Sequence, residues 1–80
     1  MIPYFTAIIE KEDDMYVALC PEIDIASQGH SIESAKENLK EAVELFFESA
    51  SAKEVQSRLK YNVYISPLEV DLGKTAYSIR

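Results

Sequence analysis

The stretch from Cys20 to Phe47, CPEIDIASQGHSIESAKENLKEAVELFF, contains the change from strand-like to helical sequence. Pro21 predicts a turn, Gly29 ends the strand-like pattern, and the hydroxyl of Ser31 is suited to capping a helix. Apolar residues then recur at helical spacing, at Ile32, Ala35, Leu39, Ala42, Val43 and Phe46. The stretch therefore predicts a sheet that is followed directly by one amphipathic helix.

Two strand-like runs precede this stretch. Ile2 to Ile9 and Met15 to Leu19 are rich in β-branched and aromatic residues, and the charged residues 10–14, EKEDD, predict a turn between them. The two runs together predict a β-hairpin. A third short strand is expected from Ile25 to Gln28, because the next residue is a glycine that interrupts the pattern.

The sequence after the main helix carries shorter patterns. Ser51 and Glu54 fit a capping box, which predicts a short second helix before Tyr61. Residues 61–65 and 68–72 alternate between apolar and polar types, which predicts two late strands or one bent edge strand. We therefore expect one α+β domain over residues 1–80, with an antiparallel sheet of three to four strands and one main helix packed on one face. The expected order is β-β-β-α-(short α)-β.

Both faces of the first predicted strand are largely apolar. One face carries Ile2, Tyr4, Thr6 and Ile8, and the other carries Pro3, Phe5, Ala7 and Ile9. A single helix covers only one of these faces, so the other must be covered by the C-terminal segment, by a second copy of the chain or by a different protein. We favour a protein contact, and we expect a homo-oligomer.

The charge balance restricts the possible partners. The formal net charge is −6, from 14 acidic and 8 basic side chains. Direct binding of nucleic acid needs clustered Lys and Arg, so it is not expected here. An acidic surface suits a basic protein partner, although a role in solubility alone also explains it.

The location of the protein is predicted from its single cysteine and its hydropathy. Cys20 is the only cysteine and has no partner for an internal disulfide, and the start of the chain does not resemble a secretory leader. No apolar run approaches the roughly 18 residues that a membrane span needs. We expect a cytoplasmic protein that does not enter a membrane.

Few residues suggest catalysis. His30 is the only histidine, and its neighbour Ser31 is better explained as a helix cap than as a nucleophile. One histidine and one cysteine are too few for a zinc site, and Asp13 and Asp14 lack the spacing of a calcium loop. Two glycines do not make a phosphate-binding loop. We expect no enzyme, no metal and no cofactor, with a small hydrolase that uses His30 as the alternative.

The order of these features from Tyr4 to Phe46 resembles the HicB-type antitoxin domain. The matching positions are Cys20, Pro21, Glu22, Gly29, Ser31, Glu33, Ala35, Asn38, Leu39, Glu41 and Ala42. The resemblance implies a partial ribonuclease-H-like α+β fold that lacks the ribonuclease active site. It also implies binding to a small basic mRNA-cleaving toxin of the HicA type, whose catalytic surface the antitoxin masks.

The chain departs from that family in two respects. Met15 stands where many relatives carry a glycine, and the chain ends in strand-like sequence where many relatives carry a DNA-binding segment. We therefore expect a short single-domain member. The residues predicted to bind the toxin are Tyr4, Thr6, Tyr16, Glu37, Glu41 and Glu44. The alternative is a homo-oligomeric structural module without a toxin partner.

Overall fold

The computed structural model describes residues 4–60 and 62–73. Its regular elements are β1 (Ile8–Glu12), β2 (Met15–Cys20), β3 (Ile25–Gly29), α1 (Ile32–Ser49) and α2 (Ala52–Arg58). The predicted α+β class is confirmed, with a three-stranded antiparallel sheet, one main helix on one face and a short second helix.

The sheet has the order β1-β2-β3, and both neighbouring pairs are antiparallel. β2 is the central strand: its Ala18 lies opposite Ile9 of β1 and Ser27 of β3. Because side chains alternate along a strand, Tyr16, Ala18 and Cys20 share one face. That face packs against α1, which lies mainly over β3, less over β2 and least over β1.

The core is small. Its fully enclosed side chains are Ala18, Cys20, Ile23, Ala35 and Leu39, and the half-buried apolar side chains around them are Phe5, Ile9, Tyr16, Ile25, Val43, Phe46 and Leu59. The helical positions predicted from spacing thus supply Ala35 and Leu39 to the centre, whereas Ile32 is exposed in the first turn of α1. Ile23 enters the core from the turn between β2 and β3, and it was not predicted there.

The predicted bounds of the first strand are wrong. Residues 4–7 form no paired strand, and residues 10–12, predicted as a turn, belong to β1. The turn is confined to Asp13 and Asp14, and Asp13 adopts a left-handed conformation with φ 54° that aspartate tolerates. Charged residues fit in β1 because it is an edge strand that faces solvent. Ile2 and Pro3 lie outside the described residues.

The late strands predicted over residues 61–65 and 68–72 do not form in the described part, residues 62–73. Tyr61 lies outside the described residues. Alternation of apolar and polar residues stabilises a strand only when a neighbouring strand supplies backbone partners. None of the described strands lies beside residues 62–73, and all of these residues are exposed except Val63, which is half-buried.

The start of α1 has the cap that the sequence predicts. Ser31 Oγ accepts a hydrogen bond from the Ser34 N–H at 3.0 Å, and Ser34 Oγ accepts one from the Ser31 N–H at 3.0 Å. Two amides at the helix N-terminus are therefore satisfied reciprocally. Ser51 caps α2 with one of these two bonds: its Oγ accepts from the Glu54 N–H at 3.1 Å.

Gly29, at the end of β3, lies directly beneath the first turn of α1. A Cβ atom at this position would lie 2.6 Å from the Ala35 nitrogen and 2.8 Å from the Ser34 carbonyl carbon. Both of these are backbone atoms of the helix, so neither can move without displacing α1. Glycine is therefore required here by the close approach of helix and strand.

Among residues 4–60 and 62–73, no helix is both long enough and apolar enough to cross a membrane.

We expect Gly29→Ala to lower the free energy of unfolding by about 1–3 kcal/mol, because the added methyl group pushes α1 off the sheet. The measurement is urea unfolding followed by circular dichroism. Gln28→Ala, at an exposed neighbouring position, is the control and is expected to change stability little. Equal stability of the two variants would contradict the close approach of α1 to Gly29.

Candidate protein-interaction site

An open groove runs along α1. It is bounded by residues 5–7 and by the helix, and its volume is about 1120 Å³. Apolar side chains contribute most of its lining: Phe5, Ala7, Leu39, Val43, Leu45 and Phe47. Polar side chains form its rim: Thr6, Lys36, Lys40, Glu41, Glu44 and Glu48. We call this feature the α1 groove, and it exists because α1 leaves the side of β1 largely uncovered.

An aromatic cluster closes part of the α1 groove. The ring of Phe47 lies 5.8 Å from that of Phe5 and 5.5 Å from that of Phe46, the second pair being edge to face. The Arg58 guanidinium of α2 lies 5.3 Å from the centre of the Phe46 ring, in a cation–π contact. These contacts connect residues 4–7, α1 and α2 around one end of the groove.

Glu22, in the turn after β2, connects the parts of the chain that form the groove. Its carboxylate accepts hydrogen bonds from the Thr6 N–H at 2.9 Å, from Thr6 Oγ1 at 2.5 Å and from Cys20 Sγ at 3.4 Å. Its backbone carbonyl accepts from the Lys60 N–H at 2.7 Å. A single residue therefore holds both residues 4–7 and the chain after α2 against the core.

The protonation of Glu22 follows from these bonds. Partial burial raises the pKa of its carboxyl, but the hydrogen bonds that the carboxylate accepts, those from Thr6 foremost, together lower that pKa by more, so the net pKa lies below its ordinary value of 4.5. For Cys20, burial and then the hydrogen bond to Glu22 raise the pKa of the thiol. The carboxylate is thus ionised and the thiol protonated at neutral pH.

The outer side of α1 carries a row of exposed carboxylates, which we call the acidic helix face. Its members are Glu33, Glu37, Glu41, Glu44 and Glu48. Lys36 and Lys40 are the only basic residues of the helix, so α1 has an excess of three negative charges. Lys40 Nζ lies 3.1 Å from a Glu44 carboxylate oxygen, and that hydrogen bond, followed by the charges of Glu44 and Glu37, raises the pKa of Lys40.

Like charges recur four residues apart on this face. The face has three such pairs, Glu33–Glu37, Glu37–Glu41 and Glu44–Glu48, and each pair of this kind destabilises a helix by about 0.2–0.5 kcal/mol. A cationic partner that approached this face would relieve the repulsion. The face is therefore suited to binding a positively charged surface.

The residues predicted to bind a partner are only partly brought together. Thr6, Glu41 and Glu44 line the α1 groove, and Glu37 is exposed beside them on the acidic helix face. Tyr4 is exposed next to the groove-lining segment. Tyr16 is half-buried against the core, apart from the others.

The positions that carry the resemblance have identifiable structural roles. The core contains three of them, Cys20, Ala35 and Leu39, and Ala42 beside it is half-buried. The start of α1 is set by Gly29 and Ser31, and the turn after β2 contains Pro21 and Glu22. Asn38 Nδ2 donates to the Gln28 carbonyl oxygen of β3 at 2.8 Å.

Two features of the site were not predicted from the sequence: the Thr6–Glu22 hydrogen bonds and the groove-lining residues Leu45 and Phe47. The adjacent apolar residues Leu45, Phe46 and Phe47, which are too many for one helix face, were the available signal for the groove.

The sheet also has a face that α1 does not cover. Met15, Val17 and Leu19 of β2 are half-buried on that face, and Ile8 and Ala26 beside them are exposed. The predicted surplus of apolar strand surface is thus present, although β2 contributes most of it.

No group of three or more His, Cys, Asp or Glu side chains is arranged to hold a metal within the described residues. His30 is exposed between β3 and α1. The features available for recognition are therefore the α1 groove, the acidic helix face and the open face of the sheet.

Two curated proteins are similar to this chain over most of its length. A UPF0150 protein from Helicobacter pylori is 40% identical over 65 residues, which cover 80% of this chain and 90% of the relative. A UPF0150 protein from Synechocystis sp. is 40% identical over 68 residues, which cover 82% of this chain and 85% of the relative. No family model matches the chain, and no solved structure matches it.

We expect Glu22→Gln to lower the free energy of unfolding at neutral pH by about 1–3 kcal/mol, because it removes a charged hydrogen-bond acceptor. A carboxyl whose pKa is lower in the folded state contributes stability above its ordinary pKa, and that contribution is lost as the pH falls. The difference between wild type and variant should therefore shrink as the pH falls below 4.5.

The measurement is urea unfolding at a series of pH values. The control is Glu54→Gln, whose exposed side chain makes no hydrogen bond in the described structure. A Glu22→Gln effect that did not change with pH would contradict the stabilising role of the ionised carboxylate.

Proposed function

The chain belongs to the UPF0150 protein family, and from this premise we propose that it is an antitoxin-like protein of the HicB type, which binds a small basic protein and occludes its RNA-cleaving surface. The names of the two relatives state no activity. The proposal is supported by the sequence resemblance from Tyr4 to Phe46 and by the acidic helix face. It assigns no catalysis to this chain.

The acidic helix face is the observation that carries the proposal. Five carboxylates lie along one rigid helix, and they outnumber the lysines of that helix by three. A second acidic group lies at the tip of the hairpin: Glu10, Glu12, Asp13 and Asp14, with Lys11 among them. Complementary charge steers the encounter of two proteins and rejects partners of the wrong sign.

An RNA-cleaving partner explains why the carboxylates are arranged in a row. A protein that binds RNA needs Lys and Arg side chains along the path of the phosphates. Carboxylates spaced along α1 are a rigid replacement for those phosphates, so they compete with RNA for the same cations. Occlusion would then need no chemistry from the antitoxin, only a complementary surface held in place by the fold.

A second candidate function is a homo-oligomeric module without a toxin partner. The open face of the sheet, with Met15, Val17 and Leu19, favours this alternative because apolar strand surface is normally covered. The two candidates differ in their response to salt. Binding through carboxylates weakens as ionic strength rises, whereas association through apolar surface does not.

The test is co-expression of this chain with the small basic protein, if any, encoded beside its gene, followed by size-exclusion chromatography with light scattering and by an RNA-cleavage assay. We expect a mixed complex in which cleavage is suppressed. The double variant Glu37→Lys/Glu41→Lys should weaken the complex at least about tenfold at low salt, since each substitution places like charges together.

The control variant is Glu54→Lys/Glu69→Lys, which makes the same change of charge at exposed positions away from the acidic helix face. It should retain the complex and the suppression of cleavage. Equal effects of the two double variants would contradict a role for the acidic helix face, and a homo-oligomer that ignores the basic protein would favour the second candidate.

A further inference from the structure

We propose that Lys40 of α1 limits how tightly the acidic helix face binds a cationic partner, because its own ammonium competes for the carboxylates that the partner contacts. This inference rests on the proposed function, since it takes the acidic helix face as the surface that meets the basic protein. It goes further by naming the residue that sets the strength of that contact.

The position of Lys40 on the helix differs from that of the other lysine of α1. With about 100° of rotation per residue, the five carboxylates of the acidic helix face fall within an arc of about 80° around the helix axis. On the same reckoning, Lys40 lies about 20° from the edge of that arc and Lys36 about 60° from it. Lys40 therefore borders the acidic helix face, and Lys36 is farther from it.

Lys40 contacts the acidic helix face directly. Its Nζ lies 3.1 Å from a Glu44 carboxylate oxygen. Glu37 is three residues before Lys40 and Glu44 is four residues after it, so carboxylates flank the lysine on both neighbouring turns. The hydrogen bond to Glu44, followed by the charges of Glu44 and Glu37, raises the pKa of Lys40. The ammonium is thus charged at neutral pH, and it partly neutralises this part of the face.

The contact is exposed, so a partner can displace it. The side chains of Lys40 and Glu44 are 62% and 59% exposed. Exposed ion pairs are weak, because water screens them and because holding a long side chain in one position costs entropy. The order of this pair, with the lysine first along the helix, is also the less favourable one. Lys40 therefore weakens the binding of a partner without preventing it.

The same lysine stabilises the free helix. Three pairs of carboxylates on the acidic helix face lie four residues apart and repel each other, and the Lys40 charge offsets part of this repulsion. Loss of that charge should lower the stability of the free protein slightly, while it makes Glu37 and Glu44 available to a partner. Opposite effects on stability and on binding distinguish competition from a merely structural role.

Lys36 provides a matched control on the same helix. It is exposed, and none of the ion pairs within the described residues includes it. Glutamine is about as favourable in a helix as lysine, so Lys36→Gln and Lys40→Gln are expected to preserve α1. The two substitutions change the net charge of the helix equally. They differ in the loss of the contact between Lys40 and Glu44.

The test measures the affinity of the full chain for a synthetic hexa-arginine peptide by isothermal titration calorimetry at low ionic strength. We expect Lys40→Gln to bind the peptide about two- to fivefold more tightly than Lys36→Gln, the effect of removing one exposed ion pair. This difference should shrink in a Glu44→Gln background, where the competing contact is already lost. Urea unfolding should show Lys40→Gln to be folded and slightly less stable than wild type.

Two results would overturn the inference and leave the proposed function standing. Equal affinities of Lys40→Gln and Lys36→Gln would show that only the net charge of the helix matters. Weaker binding by Lys40→Gln than by wild type would show that Lys40 supports the face instead of competing with the partner.

A different pair of results would overturn the inference together with the role of the acidic helix face. One is the absence of peptide binding by wild type and by every variant. The other is peptide binding that the double variant Glu37→Lys/Glu41→Lys leaves unchanged, because the peptide would then bind elsewhere on the chain.

Discussion

The hydrogen bonds between Thr6 and the Glu22 carboxylate are the interaction on which the rest of the structure depends. Only five side chains among the described residues are fully enclosed, so apolar burial alone fixes little of the chain beyond the sheet and α1. Glu22 ties residues 4–7 to the core through its carboxylate and ties the chain after α2 through its carbonyl. Without this link, Phe5 would lose its position against Phe47, and the α1 groove would lose one wall.

The parts of the fold that depend only on residues close together in the sequence could be predicted. The cap at Ser31, the helical spacing of Ala35 and Leu39, and the strand character of β2 are all local, and the structure has each of them. The predicted first strand had wrong bounds because its charged residues are tolerated at an edge, which depends on strand order. The late strands did not form because a strand needs a partner that no local pattern specifies. The Thr6–Glu22 link joins residues 16 apart, and the α1 groove depends on where the helix crosses the sheet, so neither could be read from spacing.

Two surfaces lie side by side on α1, the acidic helix face and the α1 groove. They suit different partners, because one is charged and the other is mainly apolar. The acidic helix face is rigid, exposed and charged, so it favours cations and responds to ionic strength. The α1 groove is apolar on its floor and mixed in charge on its rim, so it favours an apolar segment and is insensitive to salt. Glu41, Glu44 and Glu48 belong both to the acidic helix face and to the rim of the α1 groove, so the two surfaces meet along the helix.

The measurement that tests the central claim most directly is a nuclear magnetic resonance titration of the isotopically labelled chain with the small basic protein, if any, encoded beside its gene. We expect chemical-shift changes at the hairpin tip and along the acidic helix face, at Glu33, Glu37, Glu41, Glu44 and Glu48, and we expect salt to reverse them. Changes confined to the open face of the sheet, or no changes at all, would contradict recognition through the acidic helix face.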